Sequence, residues 1–226
     1  MITKSTLLIC LMAPFIVLLA VLPVAASDLV MEPTVNIITG QPLLVEEFDS
    51  VNAWENYSSP SGVMIGVEDG AYRASTMNPG FVWGLNAQEH SDVVLEVSAT
   101  PMSVFVENGF GVMCRADTSN NGDGYYFMVT GAGYYSIRVG MGDSVVPLVD
   151  WTMSEAVRDG IDTNTIRAVC IDDYLALYAN DQLLAEVTDT TYSTGYAGLA
   201  IAATESGNAD VIFDDLTIWE AVAIDL

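Results

Sequence analysis

The sequence is organised by a rhythm. From Leu43 to Trp219, short runs rich in apolar, β-branched and aromatic residues follow one another at intervals of about 8 to 12 residues, each closed by turn-forming residues. Examples are Val93 to Thr100, Phe110 to Ala116, Tyr125 to Thr130, Tyr134 to Val139, Thr165 to Ile171, Tyr174 to Ala179, Gly195 to Ala203 and Val211 to Trp219. Runs this short suit strands rather than helices, and strands so close in sequence pair as hairpins, so the pattern predicts an all-β sandwich or barrel. Glu68-Asp-Gly70, Gly131-Ala-Gly133, Asp172-Asp173 and Asn180-Asp181 supply the hairpin turns, because Gly, Asn and Asp tolerate the left-handed backbone that tight turns demand. The one helical candidate is Met153 to Arg158, with Ser154 as N-cap and Gly160 beyond its end. Strands never alternate with helices, which argues against a parallel nucleotide-binding sheet.

The chain ends differ from this middle. Lys4, the apolar stretch Leu7 to Val24 and the small residues Val24 to Ser27 read as an export signal cleaved after Ala26, giving a secreted protein with no membrane attachment after cleavage. The rival reading is a retained anchor, since the stretch approaches the length that spans a bilayer. Residues 27–42 hold two prolines and little periodicity and read as an irregular lead-in or linker; 43–220 form one domain, and 221–226 a short tail.

Charge narrows the partners. The chain carries 30 Asp or Glu against 6 Lys or Arg, a formal net charge of −24. Its single lysine lies in the leader, so the exported part has only arginine as a permanent cation. That balance excludes the usual nucleic-acid binder, which neutralises phosphates with Lys and Arg, and it suits a saline or calcium-rich exterior that screens self-repulsion. Export also places Cys114 and Cys170, each within a predicted strand, in an oxidising compartment where an even pair commonly bridges; the alternative is two buried free thiols.

Three stretches, taken together, resemble a known superfamily. Phe48-Asp-Ser with Trp54 and Glu68 to Arg73 form the first, and Gly111 to Arg115, Gly124 to Phe127 and Gly133 to Tyr135 the second. Arg167 to Asp172, Leu175 to Asn180, Gly195 to Leu199 and Phe213 to Leu216 form the third. Their order is similar to secreted bacterial domains of the concanavalin A-like lectin/glucanase superfamily, to which laminin-G-like modules also belong. The resemblance implies a jelly-roll β-sandwich of two antiparallel sheets, of about 12 to 14 strands with at most one short helix, in a protein that binds glycans, hydrolyses them or serves adhesion.

The residues discriminate among these. His90 is the only histidine and is expected as an exposed turn residue; no Gly-x-Ser-x-Gly elbow accompanies it, and one His without a close Cys pair makes no standard zinc set. The alternating Glu-x-Asp-x-x-Glu run by which glucanases of the superfamily project their acids is missing, so no residue is assigned as catalytic. Sugar recognition pairs aromatic faces with polar groups. The candidates are Trp54, Trp83 and Trp151 near strand ends, with Tyr125, Tyr126, Tyr134 and Tyr135 on two neighbouring strands, where alternation turns one tyrosine of each pair outward. The plainer account is that aromatics favour strands and pair across them. By likeness to jelly-roll modules that hold a structural calcium where the first and last strands meet, Glu47, Asp49, Asp214 and Asp215 are the expected ligands. The leading expectation is therefore a secreted, non-catalytic module for a glycan or cell-surface polysaccharide. The alternatives are a carbohydrate-active enzyme, of glycoside hydrolase or 3-keto-glycoside hydrolase type, and a structural surface or assembly protein.

Overall fold

A computed structural model describes residues 31–50, 54–117, 119, 121–204 and 207–224. The export signal expected at 1–26 lies outside the described residues. Two antiparallel sheets stack face to face, as an all-β jelly-roll sandwich requires. The larger, nine-stranded sheet runs β13 (Gln182–Thr188), β12 (Tyr174–Ala179), β11 (Asn164–Ile171), β6 (Val93–Pro101), β15 (Ala209–Ile224), β4 (Ala71–Thr76), β3 (Met64–Glu68) and β2 (Tyr57–Ser58); β1 (Asn36–Glu46) pairs with the later half of β15. The six-stranded sheet runs β10 (Ser144–Met153), β9 (Tyr134–Met141), β8 (Gly124–Thr130), β7 (Gly109–Ala116), β14 (Gly195–Ala203) and β5 (Gly80–His90).

Alternation builds the core. Phe110, Val112 and Cys114 of β7, with Tyr125, Phe127 and Val129 of β8, point between the sheets, where they meet Leu95 and Val97 of β6 and Leu175 and Leu177 of β12. Cys114 and Cys170 form the expected disulfide and staple β7 of one sheet to β11 of the other. Beside it, the buried Arg115 guanidinium reaches past the sheet ends. Its Nε donates to Ser91 O at 3.1 Å, its Nη1 to Asp172 O at 2.6 Å and Tyr192 O at 2.9 Å, and its Nη2 to Asp92 Oδ1 at 3.1 Å. One side chain thus ties three inter-strand connections together.

Three local expectations are corrected. The segment read as lead-in is in part β1, whose Gly40 and Pro42 fall at register shifts of an edge pairing, where a missing donor or an extra residue is tolerated. β15 likewise continues through the expected tail as far as Ile224. Met153 to Arg158 forms no helix: Met153 closes β10, and Ser154 stabilises a single turn by accepting from Ala156 N and Val157 N. Ser154 N is taken by Gly133 O and Arg158 N by Asn164 Oδ1, so the backbone donors a helix would satisfy are already satisfied.

Candidate functional site

The open flank of the sandwich, where the β2–β3 edge of one sheet faces the β5 edge of the other, holds a groove of about 520 Å³. Its position is set by the segment entering β2. Trp54 bridges to Asn86, Glu55 N donates to Leu85 O at 3.0 Å, and Leu85 N donates to the Glu55 carboxylate at 3.0 Å, so the segment lies along the free edge of β5. From the core side Tyr72 donates its hydroxyl to Glu55 O at 2.7 Å. It can do so because it crosses Gly84, where a Cβ would stand 1.8 Å from the Tyr72 hydroxyl. Burial, reinforced by the Glu55 charge, pushes the Tyr72 phenol well above the usual tyrosine range and keeps it a donor. Asn56 packs its amide over Gly66, which has φ +151° and where a Cβ would meet that amide at 2.8 Å.

Aromatic surface and polar groups therefore converge. Trp83 and Phe81 of β5 form one wall, Ile65 of β3 lies across from them, Tyr57 stands 55% exposed at the rim, and Glu55 and Asn56 supply a carboxylate and an amide. Rings of this kind can take the C–H faces of a ligand, and the oxygen and nitrogen can take its hydroxyls. Among the described lining residues Glu55 is the single carboxylate, whereas glycoside hydrolysis by an acid pair needs two at about 5 to 9.5 Å.

Of the aromatic candidates, the structure brings only Trp83 to this groove. Trp54 lies just behind it, 5% exposed, with its ring centroid 5.7 Å from Phe48 and 5.5 Å from Tyr72; it supports the groove and presents no face to solvent. The tyrosines alternate as expected, Tyr125 and Tyr135 toward the main core and Tyr126 and Tyr134 away from it, but the inference that Tyr125 or Tyr126 meets a ligand is corrected, since both are fully buried. Tyr125 donates to Asp189 at 2.6 Å, and Tyr126 donates to Gly122 O at 2.7 Å with Phe81 edge-on to its ring. Half-buried Tyr134 and Tyr135, and exposed Trp151 with Arg138 stacked 5.8 Å from its ring, sit at the β9–β10 edge, across the whole sheet from β5.

Glu47 and Asp215 come close in register, because Glu46 pairs with Leu216. β15 bulges between Asp214 and Thr217, Asp215 adopts φ 53° and faces solvent, and Asp214 accepts from Asp215 N; Asp49 is exposed. Among the described residues no group of three or more His, Cys, Asp or Glu side chains is arranged to hold a metal ion. His90 is also corrected: it is buried at the end of β5, its Nε2 3.4 Å from Asn86 Nδ2, and burial lowers its pKa. Tyr57, Phe81, Glu55 and Asn56 were not anticipated. Tyr57 belongs to a two-residue strand with no periodicity to reveal it.

No protein-family model matches the chain, and no curated protein matches it. Solved structures do. The carbohydrate binding module CBM66 from Bacillus subtilis superposes with a TM-score of 0.60 at 16% identity, over 75% of this chain and 96% of its own. A Bacillus subtilis protein of unknown function with a galectin-like fold gives 0.59 at 14%, over 83% and 99%. The Bacillus licheniformis β-glucanase gives 0.54 at 10%, over 78% and 96%. The protein has the concanavalin A-like jelly-roll fold, as its motifs implied. At these identities the likeness speaks for architecture, and function rests on the groove.

Proposed function

We propose that this is an exported, non-catalytic glycan-binding module and that the groove between the β2–β3 edge and β5 is its sugar site. The observation that carries the reading is the convergence of Trp83, Phe81 and exposed Tyr57 with Glu55 and Asn56 around an open groove of about 520 Å³. A sugar ring stacks its C–H face on Trp83 or Tyr57 while its hydroxyls donate to the Glu55 carboxylate and exchange hydrogen bonds with the Asn56 amide. The inter-sheet disulfide fits an oxidising exterior, and a carbohydrate binding module among the structural neighbours fits the same reading. A single carboxylate among the described lining residues favours recognition over hydrolysis. Export also leaves the acidic surface facing extracellular salt, which screens it. An array of plant, fungal and bacterial polysaccharides tests the reading: retention on at least one neutral glycan is expected, and failure to bind any of them refutes it.

A further inference from the structure

The outer face of the nine-stranded sheet departs from the usual rule that such a face is polar. Val94 of β6 and Val169 of β11, paired in register, form an apolar floor, and Trp219 of β15 pairs with Val94 on its flank. One row along, Glu96, Arg167 and Tyr178 pair in succession across β6, β11 and β12. These six residues line a groove of about 360 Å³ that shares no residue with the site between β2–β3 and β5. Three strand spacings separate Trp219 from Tyr178, about 14 Å across the sheet, so the two half-exposed aromatics bracket a span longer than a single ring.

The polar groups between them are held in place. Arg167 Nε donates to Glu96 Oε2 at 2.5 Å, Nη2 donates to Asp181 at 2.8 Å, and the guanidinium lies 5.7 Å from the Tyr178 ring centroid. Among the described residues Arg167 Nη1 donates no hydrogen bond and the second carboxylate oxygen of Glu96 accepts none, so the groove offers a spare donor and a spare acceptor. The charge pattern selects the occupant. The formal net charge of −24 repels a polyanion, and a cation finds Glu96, the one carboxylate among the described lining residues, already paired with Arg167. What remains is a neutral, hydroxyl-rich chain whose C–H faces cover Trp219 and Tyr178.

We propose that this face is a second binding groove, for a neutral oligosaccharide, making the protein bivalent; it borrows from the function proposed above only the class of ligand. Both grooves would then engage one polysaccharide chain or cross-link two, with avidity exceeding either affinity.

The test is calorimetric titration of the exported protein with laminaritetraose, cellotetraose, maltotetraose and tetragalacturonate. Trp83→Ala removes the first groove's aromatic wall. Trp219→Leu removes the second's, and Thr39→Arg, at an exposed β1 position lining the second groove, fills it without touching the core. The expected result is two sites for at least one neutral tetrasaccharide and none for tetragalacturonate. Each of Trp219→Leu and Thr39→Arg should reduce the stoichiometry to one and leave the remaining affinity within twofold, and Trp83→Ala should remove the other site. If Trp219→Leu does not melt like the parent, Thr39→Arg alone decides. A stoichiometry of one that Thr39→Arg leaves unchanged overturns the second groove while sparing the first; loss of the only site on Thr39→Arg, with Trp83→Ala silent, does the reverse. No binding of any neutral tetrasaccharide overturns both.

Discussion

Replacing Arg115 by Met keeps the aliphatic bulk and removes the charge and the four donated hydrogen bonds, and its cost can be worked from the structure. Arg115 is 2% exposed, so Ser91 O, Asp172 O and Tyr192 O lose a donor in a place water reaches poorly. A buried acceptor left unpaired costs about 1 to 3 kcal/mol, and removing one partner of a buried ion pair costs about 3 to 5 kcal/mol. The Asp92 side chain is 38% exposed and regains water, which discounts its share. The carbonyls are in turns that can relax outward, so the terms do not add fully, and the net loss should be about 4 kcal/mol. Against a typical domain stability of about 5 to 15 kcal/mol that is a large fraction, equivalent to a fall of about 8 to 16 °C in Tm for a domain of this size. Urea titration and thermal melting with the disulfide intact measure it. Arg115→Lys should recover less than half, because one ammonium cannot reach three turns at once. A loss below about 1 kcal/mol for Arg115→Met would refute the clamp.

Three further outcomes are expected. Replacing Cys114 and Cys170 together by Ser opens a link between residues 56 apart and should cost about 4 kcal/mol in the chain-entropy account, read as a lower denaturant midpoint. Tyr72→Phe should leave the protein folded but weaken binding at the first groove several-fold, since Glu55 O loses the donor that fixes the entry to β2; unchanged affinity would remove Tyr72 from the positioning role. Burial lowers the His90 pKa, so the folded state favours neutral imidazole. This contribution is intact above the unfolded pKa of about 6.5 and is lost as pH falls through the folded value; His90→Gln should therefore flatten the stability loss on acidification below about pH 6.5, and an unchanged profile would contradict it.

How much of this was written in the sequence depends on the range of the interactions. Strand positions follow from local alternation, so β6 to β9, β11, β12 and β14 are legible from residue types alone, as is the opposite facing of the two tyrosines in each pair. The disulfide was legible from export and an even cysteine pair. Alternation says which way a side chain points, but not what covers it: Tyr126 points outward and is buried all the same, because the Gly122 loop and Phe81 lie over it. The first groove is made where two sheet edges distant in sequence approach. Tyr57 and Phe81 line one groove because Trp54 and Glu55 dock on β5, an approach carried by a few backbone hydrogen bonds and the space over Gly84. Whether the carboxylates of Glu47, Asp49, Asp214 and Asp215 converge depends likewise on a bulge in β15 that no local signal marks.

The claim that matters most is that the groove beside β5 holds a sugar on Trp83. Titrating the parent protein and Trp83→Ala with the best neutral glycan from the array, while checking that both melt alike, tests it directly. Trp83→Ala should weaken binding at that site at least tenfold, about 1.4 kcal/mol, as expected for an aromatic anchor at the centre of a recognition site. A Trp83→Ala protein that is folded and binds with the parent's affinity and stoichiometry would contradict it.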